Sequence, residues 1–194
     1  MLVLVRHAES AANAAGLLLG RTDSPLTPHG REQAAALGPL LGPTARLVSS
    51  PLTRARDTAA ALGLGLSVEV DERWVEVDYG ELEGEALGAV PAEVWTRWRA
   101  DPEYRPAGGE SLADVGRRVG DACAELFAHP GVGARTDADV VVVSHVSPIK
   151  AAVAWALGVG DELAWRLYLA TASVTRVAWG NGTPVLQRYN QTVR

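Results

Sequence analysis

Two short apolar runs, each followed closely by a histidine, constrain the fold of this chain more than any other feature. His7 lies two residues beyond the run Leu2 to Val5, and His145 lies two residues beyond Val140 to Val143. Uncharged runs of this length, rich in β-branched residues, are typical of buried strands in parallel sheets. Open α/β sheets bind ligands at the carboxyl ends of their strands. We therefore expect parallel central strands that bring the two histidines face to face.

Weaker apolar and periodic segments alternate along the rest of the chain. Further strands are predicted at Leu47-Val48, Leu66 to Val70, Val174 to Trp179 and Pro184 to Tyr189, with a turn at Asn181-Gly182 before the last. Helices are predicted at Pro28 to Leu41, Thr53 to Leu62, Ser111 to Phe127 and Pro148 to Leu157. This alternation predicts an α/β fold, a three-layer sandwich with a mostly parallel central sheet and helices on both faces. Residues 85–106 break it and are interpreted as a small helical lid insertion within a single domain, 1–194.

Charge and cysteine content exclude several classes of protein. The formal net charge of -5 gives no general attraction to nucleic acid or to anionic membranes. A single cysteine, Cys123, excludes an internal disulfide. No apolar run reaches membrane-spanning length, and Met1 to Val5 is followed too soon by charge to be a signal peptide. We expect a cytoplasmic location, and the sequence leaves the oligomeric state open, a dimer included.

The residues around the two histidines suit phosphate chemistry. A neutral imidazole at a strand end offers one nitrogen as a nucleophile toward phosphorus, while a backbone carbonyl fixes the other nitrogen. Arg6 adds a planar, permanently charged fork that fits phosphate oxygens. His145 can donate to a phosphoryl oxygen and stabilise transition-state charge. An Arg-His pair alone is a weak signal, and a histidine satisfied at a strand end is the alternative.

Two further segments add a cation and a set of carboxylates. Ser49-Ser50-Pro51 ends a strand and begins a helix, which places Arg54 in a first helical turn, where anions are attracted. A carboxyl group with a pKa raised by burial can protonate a leaving oxygen. The acidic run that follows offers four candidates, namely Glu76, Asp78, Glu81 and Glu83. Periodicity does not choose among them, and a solvated acidic loop is the alternative.

Taken in order, these motifs resemble a known family. Arg6-His7-Ala8-Glu9-Ser10 is similar to the signature of the histidine phosphatase superfamily, the phosphoglycerate mutase-like proteins, and the resemblance extends over nearly the whole chain. It implies that Arg54 is a phosphate ligand and that Glu76 is the proton donor. The chain departs from the family at Ala8 and Val146, where glycine is usual. A valine at 146 requires ordinary backbone angles and leaves any N–H contact there in doubt.

Within the superfamily, Ser144 to Lys150 resembles the acid phosphatase or α-ribazole phosphatase-like domain found behind ribonuclease H in some bacterial proteins. The implied function is a metal-independent, cofactor-free phosphatase that hydrolyses small phosphomonoesters through a phosphohistidine on His7, with no metal site. The residues expected to bind the substrate are Arg6, Asn13, Arg54 and His145, with Arg21 and Thr22 at the rim of the pocket.

Two alternatives stay open. The first is a phosphoglycerate mutase, but mutases resembling this chain carry an arginine-rich insertion, whereas residues 85–106 hold scattered arginines and no Arg-Arg pair. The second is a non-catalytic module that binds a phosphorylated ligand. Degenerate members of such families usually lose a nucleophile or an acid, and this chain keeps both His7 and Glu76. A hydrolase is therefore favoured.

Overall fold

A single six-stranded sheet organises the computed structural model, which describes residues 1–128, 138–180 and 182–193. The strands are β1 (Leu2–Arg6), β2 (Thr44–Ser49), β3 (Val68–Val70), β4 (Asp139–Ser144), β5 (Ser173–Gly180) and β6 (Thr183–Thr192). They lie in the order β3-β2-β4-β1-β5-β6, where the first four are parallel and β5 is antiparallel to both of its neighbours. The predicted α/β class with a mostly parallel sheet is confirmed.

Helices cover both faces of this sheet. They are α1 (Ala11–Ala14), α2 (Pro28–Leu37), α3 (Thr53–Ala61), α4 (Ala92–Ala100), α5 (Leu112–Ala128) and α6 (Val146–Leu157). Successive side chains of a strand point to opposite faces. Leu2 and Leu4 accordingly belong to the core cluster beneath α5 and α6, and Val3 and Val5 belong to the cluster beneath α2 and α3. Strand β1 thus contributes side chains to both cores, one on each side of the sheet.

Local chemistry explains where the predicted elements begin and end. Thr27 caps α2 by accepting from the Gly30 N–H at 2.9 Å, and Pro28 follows it at the first helical position. The predicted end of this helix at Leu41 is wrong, because Pro39 lacks an N–H and the chain turns into a 3-10 segment from Gly38. The predicted strand from Leu66 is also shortened, since Gly65 adopts a φ of 68° just before it. The predicted turn residue Asn181 lies outside the described residues.

Residues 85–106 contain α4, which is held by aromatic packing. Trp98 on this helix is 2% exposed. Its ring centroid lies 5.6 Å from that of Tyr79 and 6.1 Å from that of Trp165. The helix therefore packs beside the acidic segment that follows β3. Its interpretation as a lid stays a prediction.

Candidate active site

The pairing of β1 with β4 brings the two predicted histidines together. The strands are parallel and in register up to Arg6 opposite Ser144. The ladder continues one residue further, where the N–H of His7 donates to the carbonyl oxygen of Ser144 at 2.9 Å. The ring centroids of His7 and His145 are 5.0 Å apart. Both rings are buried at the carboxyl edge of the sheet.

His7 is held in the neutral form that a nucleophile requires. Its Nδ1 lies 2.8 Å from the carbonyl oxygen of Ala8, which can only accept, so the proton is on Nδ1 and Nε2 keeps its lone pair. Burial lowers the pKa of His7 well below its usual value, and the positive charges of Arg6 and Arg54 lower it further. The imidazole therefore stays unprotonated in acid that would charge an exposed histidine.

Backbone carbonyl groups orient two cations, the buried Arg54 and the half-buried Arg6. Arg6 Nη1 donates to Leu169 O at 2.6 Å, while Arg54 donates through Nη1 to Thr22 O at 2.9 Å and through Nη2 to Gly20 O at 2.6 Å. Burial lowers the pKa of both guanidinium groups, and the charge of Glu76 opposes this. Within the described ranges neither arginine forms an ion pair, and Arg6 Nε has no hydrogen-bond partner. Guanidinium groups that face no carboxylate partner have the chemistry to bind an anion.

Glu76 binds the amino end of α6. Its Oε1 accepts from the backbone N–H of Val77 at 2.8 Å and of Ser147 at 3.1 Å, and its Oε2 accepts from Val146 N–H at 3.0 Å. Val146 opens α6 with ordinary helical angles, so this family position works here without glycine. The contact left in doubt by the sequence is thus made to Glu76.

The backbone of Glu76 is fixed from the opposite side. Its carbonyl oxygen accepts from Arg21 Nε at 2.9 Å and from Arg118 Nη2 at 3.3 Å. Both arginines also bind the carboxylate of Glu110. Burial alone would raise the pKa of Glu110, but the hydrogen bond and charge of Arg118, with those of Arg21, leave it below its usual value. Glu110 thus stays charged and keeps both arginines in place.

Ser50 decides which nitrogen of His145 carries the proton. The Ser50 hydroxyl lies 2.7 Å from Nε2 of His145 and accepts from Leu52 N–H at 3.4 Å. Among the described residues, Nε2 is the acceptor within reach of the hydroxyl proton, so Ser50 donates a hydrogen bond to Nε2. The imidazole proton is then on Nδ1. That Nδ1 is buried and has no partner in the described part of the chain. Burial, the neighbouring ring of His7, and the charges of Arg54 and Arg6 hold the pKa of His145 well below its usual value, so His145 is a neutral donor.

Some of the predicted site residues act through contacts that differ from those expected. Oδ1 of Asn13 accepts from the N–H and hydroxyl of Ser10 and so caps α1. Arg21 is exposed and holds the Glu76 carbonyl, and Thr22 contributes its own carbonyl to Arg54. Their predicted role in binding substrate stays a prediction. Five predicted residues do come together at the carboxyl edge of the sheet, namely Arg6, His7, Arg54, Glu76 and His145.

Two residues of the site were missed by sequence reasoning. Ser50 follows the last residue of β2, where Ser49 is paired with Val143 of β4, so the parallel-strand rule places it beside His145 and would have found it. Arg118 lies in the middle of α5, and no local pattern distinguishes it from the neighbouring Arg117.

The residues that the structure describes contain no group of three or more His, Cys, Asp or Glu side chains placed to hold a metal ion. None of their helices is long and apolar enough to cross a membrane.

The sheet, and the paired imidazoles beside two guanidinium groups, are those of the phosphoglycerate mutase-like α/β proteins. The model of the histidine phosphatase superfamily, branch 1, matches residues 2–192, and the chain belongs to this superfamily. The resemblance seen in the sequence is thereby confirmed.

Several known proteins are similar to this chain in sequence or in structure. A bifunctional protein of Mycobacterium tuberculosis is 39% identical over 201 residues, which cover 98% of this chain but 54% of that protein, so the chain spans about half the length of that relative. A glucosyl-3-phosphoglycerate phosphatase of Mycobacterium tuberculosis is 38% identical over 160 residues, covering 77% of this chain and 72% of the relative. A mycobacterial glucosyl-3-phosphoglycerate phosphatase solved with VO3 superposes with a TM-score of 0.89 and 34% identity over 98% of both chains.

Acid is expected to weaken the fold through the two buried histidines. Because their pKa values lie well below 6.5, the unfolded chain binds protons that the folded chain does not. Their contribution to the free energy of unfolding is complete above pH 6.5 and is lost as the pH falls toward the folded pKa values, by at most about 1.4 kcal/mol per pH unit for each histidine. Urea unfolding between about pH 7.5 and 5 should show a shallower decline for His145→Gln than for wild type. Equal slopes would contradict the buried neutral state of His145.

Removing the Ser50 hydroxyl should allow the imidazole of His145 to carry its proton on either ring nitrogen. In Ser50→Ala we expect nitrogen NMR shifts of the ring to change from the Nδ1–H form to a mixture, and affinity for inorganic phosphate to fall about tenfold. Ser49→Ala is the matched control, since its hydroxyl is buried but donates to the carbonyl of Ser50. The assignment is wrong if both variants bind phosphate as wild type does.

Proposed function

We propose that this chain is a metal-independent phosphatase that hydrolyses small phosphomonoesters through a phosphohistidine on His7. The observation that carries the proposal is a neutral, buried His7 with a free Nε2, next to the guanidinium groups of Arg6 and of the buried Arg54, which form no ion pair with any residue that the structure describes. Names of relatives support hydrolysis, since glucosyl-3-phosphoglycerate phosphatases and a putative phosphoserine phosphatase are among them.

In the first step, the Nε2 lone pair of His7 attacks phosphorus and the bond from phosphorus to the ester oxygen breaks. Glu76, which three N–H groups hold as a carboxylate, takes the proton of the phosphomonoester monoanion and passes it to that leaving oxygen, so an alcohol departs. Arg6 and Arg54 neutralise the charge on the phosphoryl oxygens, and the Nδ1–H of His145 adds a donor, with help from Asn13. These groups supply the charge stabilisation for which other phosphatases use a metal ion.

In the second step, water attacks the phosphohistidine and the bond from phosphorus to Nε2 breaks. The Glu76 carboxylate accepts the proton of the water, and inorganic phosphate leaves with His7 restored to its neutral form. The same carboxyl group donates a proton in the first step and accepts one in the second. Its hydrogen bonds with the N–H groups of Val146 and Ser147 hold it in place for both steps.

The proposal includes the setting in which the enzyme works. We propose one domain over residues 1–194 that acts in the cytoplasm, without nucleic acid or membrane partners. The formal net charge of -5 and the lone cysteine support this setting. Arg21 and Thr22 would form the rim of the pocket through their contacts with Glu76 and Arg54.

Phosphate release from p-nitrophenyl phosphate, measured with chelator present, tests the class of enzyme. We expect wild type to stay active below pH 6.5, because the pKa of His7 is held well below that value, and we expect His7→Ala to lose at least about 1,000-fold. His29→Ala, at an exposed position, is the control. Full activity in His7→Ala would exclude the mechanism, and conversion of 3- to 2-phosphoglycerate faster than phosphate release would indicate a mutase instead.

Two esters with different leaving groups distinguish the role of Glu76 as a proton donor from its role as a base. In Glu76→Gln we expect p-nitrophenyl phosphate to give a burst of p-nitrophenolate, because this leaving group needs no proton, followed by turnover slowed about 100-fold or more. Phosphoenzyme should accumulate after the burst. An alkyl phosphate, which needs the proton, should show neither.

Glu81→Gln is the control for this experiment, because Glu81 is an exposed member of the same acidic run. It should behave as wild type with both esters. Wild-type turnover of both esters by Glu76→Gln would remove Glu76 from the mechanism.

A further inference from the structure

Glu83 belongs to the acidic run that follows β3, yet its carboxylate binds the backbone of a distant loop. Its Oε1 accepts from the N–H groups of Gly20 at 2.9 Å and of Thr22 at 2.8 Å, and its Oε2 accepts from Gly20 N–H at 3.1 Å. Hydrogen bonds to a charged acceptor are about twice as strong as those between neutral groups. Residues 20–22 are therefore held firmly by their N–H groups.

The carbonyl groups of the same loop bind Arg54. Its Nη2 donates to Gly20 O at 2.6 Å, and its Nη1 donates to Thr22 O at 2.9 Å. Arg54 forms no ion pair with any residue that the structure describes. The carboxylate of Glu83 and the guanidinium of Arg54 thus bind opposite polar groups of one short segment, which keeps the two charges apart.

Close packing joins this loop to the acidic run. A Cβ on Gly20 would overlap the carbonyl oxygen of Val77 and would lie 3.0 Å from Oε2 of Glu83. Just before the loop, the carbonyl oxygen of Leu18 accepts from Gly84 N–H at 2.8 Å. The loop and the acidic run therefore form one unit, and a change at Glu83 would reach the carbonyl groups that orient the guanidinium.

The separation of the two charges suits an anion site. Arg54 is 1% exposed, and burying a cation is costly unless other groups compensate it. Burial lowers the pKa of Arg54, while the charges of Glu76, Asp23 and Glu83 oppose this. A carboxylate in direct contact with the guanidinium would compete with a phosphoryl group for its N–H donors. Glu83 supplies negative charge from the far side of the loop and leaves that face of Arg54 to the anion.

We propose that Glu83 is a positioning residue of the phosphate site. Its carboxylate fixes residues 20–22, and the carbonyl groups of this loop then hold Arg54 in the orientation that binds a phosphoryl group. The inference rests on the proposed function, in which Arg54 is a ligand of that group. Glu83 itself does not touch the substrate, so its effect on binding requires Arg54.

A double-mutant cycle with inorganic phosphate, followed by phosphorus NMR titration, tests this dependence without turnover. Removing a negative charge near an anion site should by itself tighten binding. For Glu83→Gln we expect the opposite, a Kd raised at least about tenfold, because the amide turns an N–H donor toward the N–H groups of the loop. In Arg54→Met, which binds phosphate more weakly, adding Glu83→Gln should change the Kd by less than about twofold.

Two outcomes of the cycle overturn the proposal. Equal losses from Glu83→Gln in the wild-type and Arg54→Met backgrounds would indicate general damage to the fold. A Kd for Glu83→Gln at or below that of wild type would mean that Glu83 acts only through its charge.

Two matched variants separate position from charge. Glu81→Gln removes the same charge from an exposed position in the same run and should not weaken phosphate binding. Glu83→Asp keeps the charge but is too short to reach both N–H groups, so its Kd should rise at least about threefold. It replaces Glu83→Gln in the cycle if thermal unfolding shows that Glu83→Gln does not fold. Equal losses in Glu81→Gln and Glu83→Gln, or a wild-type Kd in Glu83→Asp, would contradict the assignment.

Turnover of p-nitrophenyl phosphate distinguishes this inference from the proposed function. We expect Glu83→Gln to lower kcat/KM at least about tenfold in wild type and to have almost no effect in Arg54→Met. The expected phosphate cycle without any hydrolysis by wild type would leave this inference standing and refute the phosphatase. Hydrolysis by wild type that Glu83→Gln leaves unchanged would do the reverse.

Discussion

The parallel pairing of β1 with β4 is the constraint on which the rest of the site depends. Its register ends with Arg6 opposite Ser144, and the next N–H, that of His7, still donates to β4. Two histidines separated by most of the chain thereby leave the sheet at the same edge and at neighbouring positions. A shift of one residue would turn the side chains of β1 to opposite faces, moving Leu2 and Leu4 into the other core. The same packing that fills the two cores therefore also aligns the site.

Neutral backbone groups hold the charged side chains at this edge of the sheet. Arg6 and Arg54 are held by backbone carbonyl groups rather than by carboxylates, which leaves their charge unneutralised. Both histidines are neutral, because their imidazole rings are buried and lie beside positive charge. The carboxylate of Glu76 is bound by N–H groups at the start of α6, where the helix dipole favours a negative group. A chain with a formal net charge of -5 thus concentrates positive charge at the edge of the sheet where we propose that the phosphoryl group binds.

The sequence predicted the parts of the fold and site that short-range patterns encode. The runs ending near His7 and His145 predicted two central strands, and the strand-to-helix turn placed Arg54 correctly at the start of α3. It failed to predict Arg118, because this arginine reaches the Glu76 carbonyl from α5, and such a contact depends on how two distant segments pack. The true start of α6 at Val146 was missed for a related reason: its first N–H groups bind Glu76, 70 residues away.

The proposed catalytic groups and a neighbouring cavity are built from different parts of this molecule. Apart from Glu76, the groups proposed to act on phosphorus leave the ends of sheet strands or begin helices. A cavity of about 130 Å³ beside Val77 and Val146 is built instead from α4, the segment near Trp165 and the buried side of α6. Trp98 and Trp165 are held there mainly by contacts between rings, which sequence changes can alter without disturbing the β1–β4 pairing. The residues that line the cavity can therefore change while the geometry of the histidine, arginine and carboxyl groups stays constant.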